Sequence, residues 1–223
     1  AAALYYLKKD HQFETRILSN QKNLILKGGG DPDLSIKELD SLALQVSKNY
    51  KNIDTLFMDD SFLDSLNYGE GWMWDEGPWW YAAPISALSV NDNCIDFYVK
   101  PSNNGEKAII DHFPKTSFIQ FRNESKTTKD SVEKKLRIDR DWILNKNEFY
   151  AHGEIIDTSD TDTLYRNIFD PTKFTGTIFS ESLKKYGTQV KTISKKKMPY
   201  ENYKNINSHK SKPLLHSAIN LMN

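Results

Sequence analysis

The sequence has one cysteine, no long apolar run and no excess of charge of either sign. Cys94 has no second cysteine to pair with, so an internal disulfide is excluded. Its neighbours Asn93 and Ile95 make it most simply a buried small residue, and no histidine is placed to activate it. No apolar run approaches the length of a membrane span. Thirty Lys and Arg balance thirty Asp and Glu, so no nucleic-acid partner is predicted.

Cofactor and metal signatures are also missing. The histidines are scattered singly, without H-E-x-x-H or C-x-x-C spacing, so no metal site and no cofactor are predicted. Gly28-Gly29-Gly30 follows a predicted strand, but Asp33 stands where the dinucleotide fingerprint G-x-G-x-x-G needs its third glycine. Asp31 would also repel a pyrophosphate. The glycines are therefore interpreted as a tight strand-to-helix turn that needs positive φ angles.

The residues that are present suffice for a core and predict a mixed fold. Of 223 residues, 38% are hydrophobic and 12% aromatic, enough for one large or two small domains. Phe13–Leu18, Asn23–Lys27 and Ile53–Met58 are strand-like. Ser35-x-x-Glu38 forms a capping box, and apolar residues at helical spacing predict a helix over 35–48. Strand, glycine loop, helix and strand predict a parallel α/β unit.

The pattern changes after Leu88. Short β-prone runs separated by polar turns predict a small antiparallel β domain. Asp170 and Pro171 then begin a helix that ends at Gly187, and Val190–Ile193 returns as a strand. The fold class is α+β or α/β: a small Rossmann-like α/β domain over 10–88 and 168–210, interrupted by a β-rich insertion domain over 89–167.

The two ends and a basic stretch complete the chain. Residues 1–9 are helix-like, and Ser211 before Pro213 predicts a last helix over 211–223. Residues 184–212 carry nine Lys and one acid, Glu201. This stretch is interpreted as a solvated basic face or a flexible segment, with a polymer-binding patch as the alternative.

The most informative stretch is Gly69–Leu88, GEGWMWDEGPWWYAAPISAL. Its first thirteen residues hold four of the five tryptophans, a tyrosine and three acids. So many rings beside acids are unusual for an ordinary loop, and one interpretation of the stretch is a buried aromatic hinge between domains.

Motifs of penicillin-recognising serine peptidases occur only as isolated strings. S-x-x-K strings include Ser19–Lys22, Ser182–Lys185 and Ser194–Lys197, and S-x-N strings include Ser89–Asn91 and Ser102–Asn104. K-T-G, which docks the substrate backbone in those enzymes, is absent. Short strings of this kind arise by chance in a chain rich in Lys, Ser and Asn, so they are interpreted as decoys.

Five longer phrases, in order, carry a family resemblance. AAALYYLKKDHQFETRIL (Ala1–Leu18), NLILKGGGDPDL (Asn23–Leu34), DDSF (Asp59–Phe62), GWMWDEGPWWYAAPISALSVNDN (Gly71–Asn93) and SKPLLHSAINLMN (Ser211–Asn223) resemble segments of S13 D-alanyl-D-alanine carboxypeptidases/endopeptidases. These are the DacB-type, class C low-molecular-mass penicillin-binding proteins. Residues 95–165 resemble the family only in their pattern of short β-prone runs and polar turns.

The resemblance implies a specific place in such an enzyme. In this family a long insertion with two extra domains separates S-x-x-K from S-x-N, and this chain resembles that insertion. Residues 1–9 and 211–223 would then be edges of a missing transpeptidase-like catalytic domain. The resemblance implies accessory, non-catalytic domains of an extracytoplasmic serine peptidase that cuts peptidoglycan stem peptides. The alternative is a stand-alone cell-wall or glycan-binding module that uses the tryptophans and the basic stretch.

The resemblance also implies substrate-binding residues. In relatives, an acid and aromatic rings of the GW-x-W-D-D…Y loop hold the amino-bearing side chain of the stem peptide. The matching positions are Trp72, Trp74, Asp75, Glu76 and Tyr81. This chain has Asp-Glu where relatives often have Asp-Asp, which leaves open which acid serves. No catalytic residue is predicted in the chain.

Overall fold

The computed structural model describes residues 1–129 and 134–216, and the chain divides into two compact units. Unit 1 comprises Ala1–Leu66, Ser86–Asn91 and the residues from Pro171 onward, and unit 2 comprises Asn67–Ile85 and Asp92–Asp170. The division expected from the sequence differs from this one at the tryptophan-rich residues, which group with the β-rich unit and not with the α/β unit.

Within residues 1–129 and 134–216, three α-helices and thirteen strands form the two units. In chain order they are α1 (Ala2–Leu7), β1 (Glu14–Ser19), β2 (Asn23–Lys27), α2 (Ile36–Ser47), β3 (Asn52–Asp59), β4 (Cys94–Lys100), β5 (Ile109–Phe113), β6 (Gln120–Asn123), β7 (Lys126–Thr128), β8 (Arg137–Arg140), β9 (Glu148–His152), β10 (Glu154–Ile156), β11 (Asp162–Asn167), α3 (Pro171–Lys185), β12 (Gln189–Lys195) and β13 (Lys204–Lys210). None of these helices is long and apolar enough to cross a membrane.

Unit 1 contains one mixed five-stranded sheet in the order β12-β3-β2-β1-β13. β3 runs parallel to both β2 and β12, which confirms the parallel α/β unit predicted over 23–58. β1 pairs antiparallel with β2 and β13. The mixed α/β class is thus confirmed, whereas the Rossmann-like description stays a prediction. β13 lies in the basic stretch and was not predicted, because its polar residues carry no apolar alternation.

The two long helices of unit 1 pack against each other, and α3 also packs against β3 and β12. Ser35 caps α2 as predicted, since its Oγ accepts a hydrogen bond from the Glu38 N–H at 3.3 Å. The apolar face of α2 is buried, as the helical spacing predicted. Asp40 on α2 accepts hydrogen bonds from Lys185 Nζ at 3.1 Å and Tyr186 Oη at 2.5 Å, which links the exposed edges of the two helices.

The glycine triplet after β2 serves mainly close backbone packing. Gly30 alone has a positive φ, of 70°. A Cβ on Gly28 would lie 2.2 Å from the carbonyl oxygen of Ala87, and one on Gly29 would lie 2.2 Å from that of Glu14. The prediction of a turn that needs positive φ angles is therefore right for one glycine. The other two are required because neighbouring backbone leaves no room for a side chain.

Unit 2 is built from three small sheets. One has the order β11-β4-β5, one the order β6-β9-β8, and β7 pairs with β10. The prediction of an antiparallel domain is wrong for two pairs, since β6 runs parallel to β9 and β7 parallel to β10. Each of these pairs is separated by intervening strands, which provide the long crossover that a parallel pair needs. Phe97 lies within 5.3 Å of both Phe121 and Phe149, between ring centroids, in the buried centre of the unit.

α1 confirms the helix predicted at the start of the chain, and residues 214–216 are helical where a last helix was predicted. α1 is short and buries no residue. The Ser211 hydroxyl accepts a hydrogen bond from the Phe13 N–H at 2.9 Å and donates one to the Lys212 carbonyl oxygen. It therefore ties the two ends of unit 1 together. Residues 217–223 of the last predicted helix lie outside the described residues.

A buried carboxylate lies where the parallel strands end. Asp59, the last residue of β3, accepts hydrogen bonds from the N–H groups of Ser61 and Met198 and, at 2.5 Å, from the Tyr200 hydroxyl. Burial opposes ionisation of Asp59, but these bonds outweigh it and lower its pKa below the usual value. Burial and the bond to Asp59 raise the pKa of Tyr200 to about 12. Asp59 thus fastens the segment after β12 to the sheet.

We expect Asp59→Asn to destabilise unit 1 by about 2 kcal/mol at neutral pH, because an amide N–H would face donors that now meet a carboxylate oxygen. A lowered pKa means that ionised Asp59 stabilises the fold above its unfolded pKa, near 4, and that this contribution is lost as pH falls through the folded pKa. The difference in free energy of unfolding between the unmodified chain and Asp59→Asn should therefore decrease from pH 6 to pH 3 in urea titrations.

Asp54→Asn is the matched control on the same strand. Asp54 is exposed and pairs with Lys191 at 2.5 Å, and such surface pairs contribute little. The role given to Asp59 would be contradicted if Asp59→Asn lowered the free energy of unfolding by no more than Asp54→Asn. It would also be contradicted if the loss caused by Asp59→Asn grew as the pH falls.

Candidate functional site

The tryptophan-rich stretch folds as two short 3-10 helices, Trp74–Glu76 and Trp80–Ala82. Gly77 between them has φ 57° and ψ −126°, a backbone conformation that is sterically unfavourable for any residue with a side chain. A Cβ on Gly77 would also lie 3.0 Å from the indole nitrogen of Trp142. Glycine is therefore required here both for the backbone turn and for the approach of the fifth tryptophan.

The side chain of Asn167 holds this stretch to the end of β11. Its Nδ2 lies within hydrogen-bonding distance of the carbonyl oxygens of Gly77 (3.1 Å), Trp79 (2.8 Å) and Ala82 (3.1 Å). Its backbone N–H donates to the Pro78 carbonyl oxygen at 2.9 Å, and its Oδ1 accepts from Arg140 at 2.9 Å. Asn167 is almost completely buried. Asn167 thus binds carbonyl groups of the second 3-10 helix and of the turn before it.

Aromatic rings of the same stretch contact one another and a buried cation. The guanidinium of Arg166 lies 4.6 Å from the ring centroid of Trp79. The rings of Trp79 and Tyr81 are parallel, with centroids 6.5 Å apart, and Trp80 meets Tyr81 edge-on at 6.0 Å. Trp79, Trp80 and Tyr81 are all exposed, so these rings are available for contact.

The structure brings two of the five predicted site residues into one cavity and places two others outside its lining. Trp72 and Glu76 line a cavity of about 390 Å³. Asp75 and Tyr81 are exposed and do not line it. The side chain of Trp74 lies outside the described part of the structure.

The remaining walls of this cavity come from residues that the sequence analysis did not select. They are Tyr68, Met73, Gly77, Ala82, Arg140, Trp142, Ile143 and Asn145. The one available signal was Trp142, the tryptophan outside the tryptophan-rich stretch, which follows a predicted strand with Arg140 two residues before it. The sequence does not show that Trp72 and Trp142 line the same cavity. They are far apart in the chain, and their proximity depends on how the strands of unit 2 are arranged.

Arg140 is the buried charge of this cavity. Only 4% of its surface is exposed. It donates hydrogen bonds to the Lys146 carbonyl oxygen at 3.0 Å and to Asn167 Oδ1. Burial lowers its pKa to about 10, while the nearby Tyr68 and Asp141 act in the opposite direction. The group therefore remains a cation at neutral pH.

The histidines and the cysteine have local roles. His209 Nδ1 lies 2.6 Å from the buried carboxylate of Asp31, and His152 Nε2 lies 2.9 Å from the partly exposed carboxylate of Asp139. Burial raises the pKa of Cys94 to about 12, so its thiol is protonated at neutral pH. No group of three or more His, Cys, Asp or Glu in residues 1–129 and 134–216 could hold a metal ion.

Three serine–lysine strings lie within the described ranges of the structure. The hydroxyl of Ser19 accepts a hydrogen bond from the Gln21 N–H. Lys185, which follows Ser182 by one helical turn, pairs with Asp40 at 3.1 Å. Ser194 lies in β12, whereas Lys197 lies in the segment after it. Within these three strings the structure joins no lysine to its serine.

Comparison with known proteins identifies the family. The model of the D-Ala-D-Ala carboxypeptidase 3 (S13) family matches residues 1–223. The chain belongs to this family. This confirms the resemblance drawn from the five sequence phrases.

Individual relatives agree with this assignment. The chain is 28% identical over 207 residues to a D-alanyl-D-alanine carboxypeptidase of Actinomadura sp. (strain R39), covering 86% of this chain and 38% of that protein. It is 35% identical over 113 residues to D-alanyl-D-alanine carboxypeptidase DacB of Haemophilus influenzae, covering 46% of this chain and 23% of that protein. The chain thus spans well under two thirds of the relatives it matches.

A solved structure shows the same fold. The crystal structure of penicillin binding protein 4 (dacB) from Haemophilus influenzae superposes with a TM-score of 0.77 and 25% identity. The match covers 96% of this chain and 49% of that one. Both units of the S13 chain therefore have counterparts in about half of a longer penicillin-binding protein.

We expect Asn167→Ala to destabilise unit 2 by about 3 kcal/mol, because several buried carbonyl groups and Arg140 would lose their partner at once. Urea unfolding followed by tryptophan fluorescence measures this, since four tryptophans lie in the stretch that Asn167 holds. Asn104→Ala, at an exposed loop position, is the control and should change little. Equal stability of the two variants would show that Asn167 does not hold the stretch.

Proposed function

We propose that this chain supplies the accessory, non-catalytic domains of a penicillin-binding serine peptidase of the S13 family. The complete protein would hydrolyse D-Ala-D-Ala or cross-link peptide bonds of peptidoglycan outside the cytoplasm, through a serine acyl-enzyme. The observation that carries the proposal is the family match over the whole chain together with its partial coverage of longer relatives.

The distribution of motifs supports a non-catalytic role for this part. K-T-G is absent, and no hydrogen bond joins serine to lysine in the Ser19, Ser182 and Ser194 strings. The nucleophile, the proton-transfer groups and the substrate-docking strand would then come from a transpeptidase-like domain elsewhere in the same protein. Residues 1–9 and 211–223 would be the edges of that domain.

The 223-residue chain should therefore not react covalently with penicillin. Incubation with a fluorescent penicillin, followed by denaturing gel electrophoresis and intact-mass measurement, should leave it unlabelled. The complete gene product, treated in parallel, should gain the mass of one penicillin. Acylation of any serine within this chain would refute the non-catalytic assignment.

The tryptophan-rich stretch supplies the proposed contact with substrate. We assign one carboxylate of Asp75 and Glu76 to the ammonium of a stem-peptide side chain, and the rings of Trp72, Trp74 or Tyr81 to its aliphatic part. Trp72 and Glu76 line one cavity, and Tyr81 is exposed beside stacked rings. These placements support a recognition surface because they leave both an acid and aromatic rings accessible.

Asp75→Ala and Glu76→Ala, made separately in the complete protein, test this contact. Loss of the acid that pairs the ammonium should lower kcat/KM for amino-bearing peptides by roughly ten- to a hundredfold. Acylation by a simple β-lactam without that amine should change little, because the β-lactam does not use the ion pair. The other acid serves as the matched control.

Two outcomes would contradict the contact. Equal losses with the peptide and the β-lactam would mean that the stretch supports the catalytic domain structurally. Unchanged kinetics for both variants with both substrates would mean that neither acid contacts substrate.

A further inference from the structure

Two cations of the five-stranded sheet lie beside the basic stretch. Arg16 of β1 and Lys27 of β2 are register partners in neighbouring strands, so their side chains lie on the same face of the sheet. Lys197 follows β12 and is held near them, because the next residue, Met198, donates its N–H to Asp59 at 3.1 Å, and Asp59 is the register partner of Lys27 on β3. Arg16, Lys27 and Lys197 are here called the basic cluster, and all three belong to unit 1.

Tyr200 holds one member of the basic cluster in place. The ammonium of Lys27 lies 3.7 Å from the centroid of the Tyr200 ring, and the Tyr200 hydroxyl donates to Asp59 at 2.5 Å. The face of the ring attracts the cation. An ammonium has three N–H donors, so those that turn away from the ring can donate to an anion. Lys27 is half-buried and Lys197 is exposed, and an anion can therefore reach the cluster from solvent.

The basic cluster carries more positive charge than the acid beside it balances. Within residues 1–129 and 134–216, none of its members forms a salt bridge. Burial, together with Arg16 and Lys197, lowers the pKa of Lys27, and Asp59 acts in the opposite direction. The Asp59 carboxylate already accepts from the Tyr200 hydroxyl and from two backbone N–H groups. Three cations against this one carboxylate leave an excess of two positive charges.

The other acids of this region do not remove the excess. Asp60 pairs with Lys195 at 2.7 Å. Glu14 lies on the same sheet face, but it is the register partner of Lys210, so this pair adds no net charge. Glu201 is exposed and is the one acid among the nine lysines of the basic stretch. The region therefore remains cationic when all its acids are counted.

Phosphate groups match the chemistry of the basic cluster. An arginine binds phosphate oxygens through its planar fork, and a lysine binds them as a point charge. A phosphodiester carries one negative charge, so two consecutive units of one chain would balance the excess of two. The three cations come from separate strands and segments, which suits a ligand that extends over the sheet face more than a single compact ion.

A polymer is favoured over a membrane surface by what the basic stretch lacks. Basic segments that lie on membranes also bury aromatic or apolar side chains in the lipid. In residues 184–212, all of which the structure describes, Ile193 is the one large hydrophobic residue that is exposed, at 36%. The stretch thus offers charge without apolar anchors. The proposed function places the protein at the cell wall, where polymers are the available partners.

We propose that the basic cluster binds a phosphodiester-linked polymer of the cell wall. Arg16 contacts one phosphate group, Lys27 and Lys197 contact the next, and Tyr200 keeps Lys27 in position. This contact holds the peptidase against the wall and takes no part in its reaction. It rests on the proposed function for its location alone, since neither the peptidase reaction nor the tryptophan-rich stretch is needed for it.

The first experiment compares polymers on the complete gene product. Poly(glycerol phosphate), poly-L-glutamate of equal charge and neutral polyglycerol are titrated by calorimetry. The phosphate polymer should bind at least about threefold more tightly than poly-L-glutamate, because glutamate side chains lose rotamer freedom on binding. Neutral polyglycerol should not bind. Equal affinity for the two anionic polymers, binding of polyglycerol, or no binding of the phosphate polymer at millimolar phosphate would overturn the proposal.

The second experiment removes cations from the cluster. Arg16→Gln combined with Lys197→Gln should weaken binding of poly(glycerol phosphate) by about tenfold or more. Each lost phosphate contact should also lower the slope of log affinity against log salt concentration by about one. Lys37→Gln is the matched control, since it removes an exposed charge of α2 and should change neither quantity.

Folding of these variants is checked by circular dichroism and urea unfolding. If the double variant does not fold, the exposed Lys197→Gln decides by its salt slope. An unchanged affinity and slope in the folded variant, or an equal loss in Lys37→Gln, would overturn the proposal.

The third experiment tests the partner and the accessibility of the cluster. Vesicles of phosphatidylglycerol and phosphatidylcholine should bind more weakly than the phosphate polymer at equal phosphate concentration. Equal or tighter binding of vesicles would make a membrane the partner and overturn the proposal. Binding of the polymer by the 223-residue chain but not by the complete gene product would mean that another domain covers the cluster, which would also overturn it. Penicillin acylation is measured separately, so a failure here leaves the proposed function untouched.

Discussion

The buried amide of Asn167 is the contact on which the tryptophan-rich stretch depends. Each 3-10 helix of the stretch has only three residues. Hydrogen bonds within these helices therefore cannot satisfy all the carbonyl groups of the stretch. One Nδ2 reaches three of these oxygens, and the backbone N–H reaches a fourth. The orientation of the amide is fixed because Oδ1 faces Arg140, which can only donate. The backbone between Gly77 and Ala82 depends on this arrangement.

Local patterns predicted much of unit 1. The sequence directly predicts the Ser35 cap, the apolar face of α2 and the strand–helix–strand order, because each depends on residues that are close together in the chain. β13 escaped prediction because an edge strand exposed to water needs no apolar alternation. The parallel pairs of unit 2 escaped it because strand spacing reports that strands exist and not which strands pair.

The candidate site was half predictable for the same reason. Trp72 and Glu76 stand in a conspicuous run and belong to the cavity. Arg140 and Trp142 are some seventy residues away and reach the cavity only through the sheet of β8 and β9. Gly77 depends both on the local sequence and on the fold. It is visible in the sequence as a glycine, yet its necessity comes from an indole ring that only the fold brings near.

The basic stretch acquires a physical meaning from the order of the strands in unit 1. β12 and β13 are the two outermost strands of the five-stranded sheet, and both carry lysines: Lys191 and Lys195 on one, Lys204 and Lys210 on the other. An open sheet edge is a template for another strand, and lysines are a common guard against such pairing. On β12 the charges are balanced, because Lys191 pairs with Asp54 and Lys195 with Asp60. Long charged side chains at both edges still make these strands poor templates for a further strand.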